Sequence, residues 1–363
     1  MKKKSFDIYL FIAVIIIGTF GIMMIYSASS IWANYKFHDE FKFVKSQSIF
    51  FLISIFLCLL VSKLPPGFWK KHANKFLLGT LIMLILVLIP GIGTVRNGSR
   101  SWFGLGGFGI QPSEFSKLAL IIFVSKYLSN NKKELRDIKK GVMPILFIIG
   151  LFFLLILLEP DFGTGMVIVL TLVSMIFVSG VKISFFVKIG LLGLMGIVAL
   201  IIVAPYRMAR IVSFLNPWTD PLGSGFQIIQ SLYAIGPGGL LGQGFLKSHQ
   251  KHFYLPEPQT DFIFSIISEE FGFLGVLVVT LFFLFIFYRS VKIALNTNDL
   301  FSKFLVFGLS VGIIFQASLN LCVVIGLIPV TGVTLPFFSY GGSSLLISML
   351  SIGIILGVSR YGK

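Results

Sequence analysis

The chain has 363 residues, of which 56% are hydrophobic and only 12% charged, with a mean hydropathy of +0.96. A soluble domain carries about 25% charge, so this composition excludes one and calls for a polytopic membrane protein. The formal net charge of +16 invites a nucleic-acid reading, but its distribution follows membrane topology and no nucleic acid is expected.

Segments long enough to cross about 30 Å of hydrocarbon recur along the whole chain. Ten are predicted, at residues 8–28, 47–64, 76–90, 113–128, 142–159, 163–180, 184–204, 262–288, 302–326 and 340–359. The fold class is therefore an all-α integral membrane protein. It forms one polytopic domain over residues 1–363, with a long extracytoplasmic loop between the seventh and eighth helices. With the N-terminus in the cytoplasm, both ends and the even-numbered connections hold about 20 Lys and Arg, against about 9 on the other face. This bias places both termini in the cytoplasm.

The first span follows Met1-Lys2-Lys3-Lys4 and lacks a small-residue cleavage site, so it reads as a retained signal anchor. Cys58 in the second span and Cys322 in the ninth offer neither a disulfide framework nor a metal site. Trp32, Trp69, Trp102 and Trp218 fall at span ends or in loops, as interfacial anchors do. The first outward connection, Pro90–Pro112, contains Arg96-Asn97-Gly98-Ser99-Arg100-Ser101-Trp102. Its glycines at 104, 106, 107 and 109 lack a following Lys-Ser/Thr and read as a turn, not a phosphate cradle. The fourth span opens Pro112-Ser113-Glu114 and carries Lys117, three residues after Glu114. Either the two form an intramembrane ion pair lining a cavity, or Glu114 is a dipole-favoured acid at a helix start. Lys117 lies too deep for a simple cap, which favours the cavity.

Lys132–Lys140 is the clearest cytoplasmic marker. Glu159-Pro160-Asp161-Phe162-Gly163 makes a tight outward turn with two acids. The second outward connection, Pro205 to about Asp261, is too apolar for disorder. It holds Arg207 and Arg210, suited to phosphate oxygens. Gly225–Ile235 in it reads as an amphipathic interfacial helix with Phe226, Ile229, Leu232 and Tyr233 on one side, stopped by Gly236-Pro237-Gly238-Gly239. His249 and His252 have no further ligands nearby, so no metal site is predicted there.

Glu257, Asp261, Glu269 and Glu270 fall within sixteen residues, although the chain has only 14 Asp and Glu. A carboxylate near hydrocarbon costs at least a few kcal/mol unless paired, hydrated or used. Asp261 sits where the long loop meets the eighth span. It is either that helix's N-cap, shared with Thr260, or a site acid. Helical spacing puts Asp261, Ser265 and Glu269 on one face. Glu257, between two prolines, is a solvated loop acid or a site acid. Gln316 and Asn320 are polar in an apolar span, where helix–helix hydrogen bonding is the usual use. A third outward connection, Leu327–Tyr340, is rich in Gly and Pro.

Five motifs in order resemble one family: Arg100-Ser101-Trp102 with Gln111-Pro112-Ser113-Glu114-Phe115-Ser116-Lys117; Glu159-Pro160-Asp161-Phe162-Gly163-Thr164; Asn216-Pro217-Trp218 with Gly225-Phe226-Gln227; Leu255-Pro256-Glu257 through Thr260-Asp261-Phe262-Ile263-Phe264; and Pro336-Phe337-Phe338-Ser339-Tyr340-Gly341-Gly342-Ser343-Ser344. They resemble the SEDS family (shape, elongation, division and sporulation), nearer its FtsW/SpoVE branch than RodA. The resemblance implies a multi-pass bacterial inner-membrane glycosyltransferase. It would polymerise lipid II into glycan strands with a class B penicillin-binding protein, within the division, elongation or sporulation machinery. The family's catalytic acid maps onto Asp261. Many members have His where this chain has Gln259, so no histidine can be assigned beside the acid. Candidate substrate contacts are Glu114, Lys117, Arg100, Trp102, Arg207, Arg210, Glu257, Asp161 and Ser343. The charge on the pyrophosphate leaving group would be held by Arg100, Arg207, Arg210, Lys117 or a divalent ion such as Mg or Mn. A lipid II flippase or transporter, and a non-catalytic scaffold for a penicillin-binding protein, are the alternatives. A transporter would show paired inverted halves, and none is evident.

Overall fold

The structure is a computed structural model describing residues 6–96, 98–105, 108–203, 208 and 212–361. Its long helices are α1 (Ile8–Phe37), α2 (Lys42–Val61), α3 (Pro66–Leu88), α4 (Pro112–Asn130), α5 (Met143–Leu158), α6 (Phe162–Val178) and α7 (Ile183–Val203). A short α8 (Phe226–Ile235) follows, then α9 (Ile263–Leu295), α10 (Leu300–Val324) and α11 (Gly342–Tyr361). Among the described residues seven helices are long and apolar enough to cross a membrane: α1, α2, α3, α5 with the turn before it, α9, α10 and α11. α4 is long enough but carries Glu114, Lys117 and Lys126, and α6 has only 17 residues.

Local chemistry sets the ends. Asp7 caps α1 by accepting from the Leu10 N–H, and His38 closes it in the left-handed conformation. Proline occupies the first turns of α3, α4 and α5, where its missing N–H costs nothing. Asp161 and Asp299 cap α6 and α10. α1 runs to residue 37 where the predicted span stopped at 28. At 1.5 Å per residue its 30 residues reach about 45 Å, well beyond a hydrocarbon core.

α10 is the central post, packed against α4, α6 and α9, while α2 lies along α11. At Gly353 of α11 an added Cβ would sit 2.7 Å from the Cys58 carbonyl oxygen of α2, so the absence of a side chain lets the two backbones meet. Trp69, predicted as an interfacial anchor, is instead buried at the first turn of α3.

Three further features depart from the sequence reading. The Pro90–Pro112 connection is a small antiparallel sheet, β1 (Thr94–Arg96), β2 (Ser99–Leu105) and β3 (Phe108–Ile110), pairing Thr94 with Trp102 and Phe103 with Ile110. The turn predicted around its glycines falls on residues 106 and 107, outside the described residues. α8 forms where expected, but its buried side is Ile228, Ile229, Ser231 and Ala234; Leu232 and Tyr233 are exposed. It packs on α9, which covers that side and leaves Leu232 and Tyr233 outward.

The predicted eighth span is interrupted at Gly272, with φ 61° and ψ −158°. The Glu269 and Glu270 carbonyls, released from the helical ladder, accept from the Gln243 and Gly244 N–H groups. The Phe273 and Leu274 N–H groups donate to Gly239 and Leu240. An added Cβ at Gly272 would lie 2.4 Å from the Gly242 nitrogen. A kink in a membrane helix needs such replacement partners, and segment 239–244 supplies them.

Candidate active site

The i, i+3 charges on α4 form a buried ion pair, Lys117 Nζ to Glu114 Oε2 at 2.8 Å. Lys117 also donates to Gln316 Oε1 on α10. The Gln316 amide nitrogen in turn donates to the Thr334 carbonyl at 3.1 Å and to Ser344 Oγ at 3.1 Å. One buried ammonium thus ties α4, α10, the Leu327–Tyr340 connection and the start of α11. Glu114 satisfies both readings: it pairs with Lys117 and it lies in the first turn of α4.

Asp161 lies beside this network. Its carboxylate accepts from Gln111 Nε2 and Ser113 Oγ, both at 2.9 Å, and from the Thr164 N–H at 3.2 Å. Burial pushes its carboxyl upward from the ordinary value, and the charge of Glu114 adds to this. The hydrogen bonds from Ser113 and Thr164 pull the other way. Ser343 accepts from the Gln111 N–H and donates to the Gly109 carbonyl, fastening α11 to β3. Glu159, read as part of a simple turn, has a fully buried side chain whose two carboxylate oxygens have no hydrogen-bond partner, while Ser101 donates to its backbone carbonyl.

Asp261 is half-buried at the end of the long loop. The N-cap of α9 is Phe262, with no side-chain cap bond, so neither Thr260 nor Asp261 caps the helix. Instead Thr260 Oγ1 lies 2.7 Å from the Glu257 carbonyl and 3.0 Å from Asp261 Oδ1, holding the carboxylate against its own turn. The Asp261 carbonyl accepts from Asn320 Nδ2 at 2.6 Å, and the Tyr340 N–H donates to the Gln259 carbonyl at 2.8 Å. Glu257 is exposed, with a left-handed φ of 44°, a conformation uncommon outside Gly and Asn.

The expected stack of Asp261, Ser265 and Glu269 does not form, because Asp261 precedes the helix. Ser265 pairs with Ser231 of α8. Glu269 accepts from Ser248 Oγ and from the His249 and Gln250 N–H groups. Glu270 receives Ser27 Oγ of α1, the Ser248 N–H and Lys251 Nζ at 3.2 Å. These two acids clamp loop residues 248–251 between α1 and α9. Lys251, which the sequence reading passed over, is buried there.

Removing one member of a buried pair costs about 3–5 kcal/mol because the other charge is stranded. Lys251→Ala is therefore expected to lower the melting temperature of the detergent-solubilised protein, and Lys251→Met with Glu270→Gln to recover most of the loss. A Lys251→Ala melting temperature equal to wild type would show that the pair does not secure the loop.

Arg100 points its Nη1 toward the Leu88 carbonyl at 3.5 Å, and the Trp102 carbonyl accepts from Thr94. Both belong to β2. Arg207 and Arg210 lie outside the described residues. Among the described residues no three His, Cys, Asp or Glu side chains gather as a metal-ligand set, so the divalent-ion alternative has no preformed site there. Gln316 makes the helix–helix bonds expected of it, to Lys117 of α4 and Ser344 of α11, and both Gln316 and Asn320 also reach loops. Their signal was visible as two amides one helical turn apart in an apolar span.

A family model for cell cycle proteins of the FtsW, RodA and SpoVE type matches residues 7–363. The chain is 51% identical to stage V sporulation protein E of Bacillus subtilis (strain 168), covering 100% of this chain and 99% of that one. It is 42% identical to a probable peptidoglycan glycosyltransferase FtsW of Geobacter sp. (strain M18), over 99% and 98% of the two chains. Its fold is similar to a chain of a peptidoglycan synthase complex that coordinates polymerization and crosslinking, with a TM-score of 0.80, 30% identity and 99% of both chains covered. The rod shape determining protein RodA of Thermus thermophilus aligns with a TM-score of 0.72 and 28% identity, also over 99% of both chains. By family model, sequence and fold alike, the chain belongs to the FtsW/RodA/SpoVE family.

Proposed function

We propose that this protein is a peptidoglycan glycosyltransferase that polymerises lipid II on the outer face of the bacterial inner membrane, with Asp261 as general base. The observation that carries the reading is the Asp261 carboxylate at the loop–helix junction, fixed by Thr260. It is linked through Asn320 to α10, whose Gln316 accepts from Lys117 of α4. The acceptor sugar's hydroxyl attacks the anomeric carbon of the donor and passes its proton to the Asp261 carboxylate. A new glycosidic C–O bond forms as the bond to the lipid pyrophosphate breaks. A positioned base of this kind contributes about 10²–10⁴-fold. The pyrophosphate leaves without an acid if cations meet its charge. Lys117 is the buried cation of this network and Arg100 the one on the β2 strand. Asp161, Glu114 and Ser343 act by holding α4, α6 and α11 in register around it, and Trp102 and Glu257 are further candidate substrate contacts. The growing strand passes to a class B penicillin-binding protein for crosslinking. The purified protein with such a partner is expected to convert lipid II into glycan polymer; no polymer from a folded, partner-bound preparation would overturn the reading.

The reading requires Asp261 outside. Ten spans with both termini cytoplasmic satisfy this, supported by the Lys and Arg distribution. Reporters fused after Lys140 and Lys363 are expected to read cytoplasmic, and one near Lys247 to read outside. A cytoplasmic signal at Lys247 would put Asp261 on the wrong face.

A further inference from the structure

We propose that Asn320 is a positioning residue for Asp261, acting with Gln316 as a two-rung ladder on α10 that sets the base relative to the Lys117 ion pair. The inference rests on the assignment of Asp261 as base. Asn320 is 1% exposed, and its Nδ2 donates to two carbonyls, Asp261 at 2.6 Å and Val333 at 2.8 Å. Both partners are acceptors, so the amide orientation is forced: only the nitrogen can face them. The opposite atom, Oδ1, is then buried with no partner.

An unsatisfied buried oxygen is a cost that an apolar side chain of the same size would avoid. Packing therefore does not explain an amide here; the two carbonyls do. One helical turn earlier, Gln316 treats the neighbouring residue alike, donating to the Thr334 carbonyl while accepting from Lys117. Residues 333 and 334 are thus held on consecutive rungs, about 6 Å apart along the helix axis. Asn320 alone extends the ladder to the Asp261 backbone. The Thr260 hydroxyl fixes the carboxylate within its own turn. The Asn320 amide fixes that turn against α10, so the base cannot shift without breaking a buried bond.

A misplacement of about 1 Å at a reacting group can cost about 10²-fold in rate. Asn320→Leu keeps the size and removes both donors. It is expected to lower kcat for lipid II polymerisation about 10- to 100-fold, with KM and partner co-purification near wild type. Placed on Asp261→Asn it should add no further loss, because it acts through that residue. Asn320→Asp gives a second readout that keeps the side chain's shape. Ionised, it faces two carbonyls and should be impaired; protonated, it regains one donor. Its activity relative to wild type at the same pH should therefore rise as pH falls. If Asp261→Asn is inactive but Asn320→Leu has wild-type kcat, the positioning role is overturned and the base assignment stands. If Asn320→Leu fails to fold, a flat ratio for Asn320→Asp across pH overturns the role by itself. If Asp261→Asn is fully active, the base assignment falls, and this proposal with it.

Discussion

Asp261→Asn is expected to express, fold and bind its partner normally while polymerising lipid II about 10²-fold or more slowly. The substitution suits the question because it removes the basic oxygen and keeps the shape of the side chain. Asn keeps an oxygen to accept from Thr260 Oγ1, and the Asn320 bond goes to the backbone carbonyl, which is untouched. Helix capping does not confound it, since the cap position of α9 belongs to Phe262. A scaffold or flippase would tolerate the change. A wild-type polymerisation rate would falsify the assignment, and exposed Glu257, whose carbonyl faces Thr260, would be the next acid to test.

Lys117→Ala is expected to lower polymerisation at least as much as Glu114→Ala. Losing the ammonium strands both Glu114 Oε2 and Gln316 Oε1 in a buried site. Losing the carboxylate leaves Lys117 with Gln316. Breaking a buried pair costs about 3–5 kcal/mol, so melting temperatures should be measured beside activity. The double variant should fall short of the sum of the singles by about 0.5–3 kcal/mol, the range for residues in one network. Small single effects that add fully would reduce the two to separate membrane-interface residues.

The local features came through in the sequence because each depends on near neighbours along the chain. Apolar runs fix where helices form, and prolines at 66 and 112 fix where two of them start. The spacing of Glu114 and Lys117 places them together on any helix, and the scarcity of carboxylates marks the stretch with Glu257, Asp261, Glu269 and Glu270, within which the family resemblance points to Asp261. What escaped depends on which segments meet. Continuous apolar sequence gives no sign that α9 breaks at Gly272, since the break exists only because segment 239–244 supplies the replacement hydrogen bonds. Glu269 looks like a neighbour of Asp261 on a helical wheel. The helix starts after Asp261, however, and Glu269 and Glu270 are used on residues 248–251 and Ser27. Leu232 and Tyr233 belong to the apolar side of α8 by periodicity, yet α9 and α10 cover the side bearing Ser231. Hydropathy and spacing act over a few residues, and so they settle the class and where most of the helices run. What Asn320, Gln316 and Lys251 hold depends on the fold, because buried polar groups in an apolar medium must find partners wherever distant segments meet.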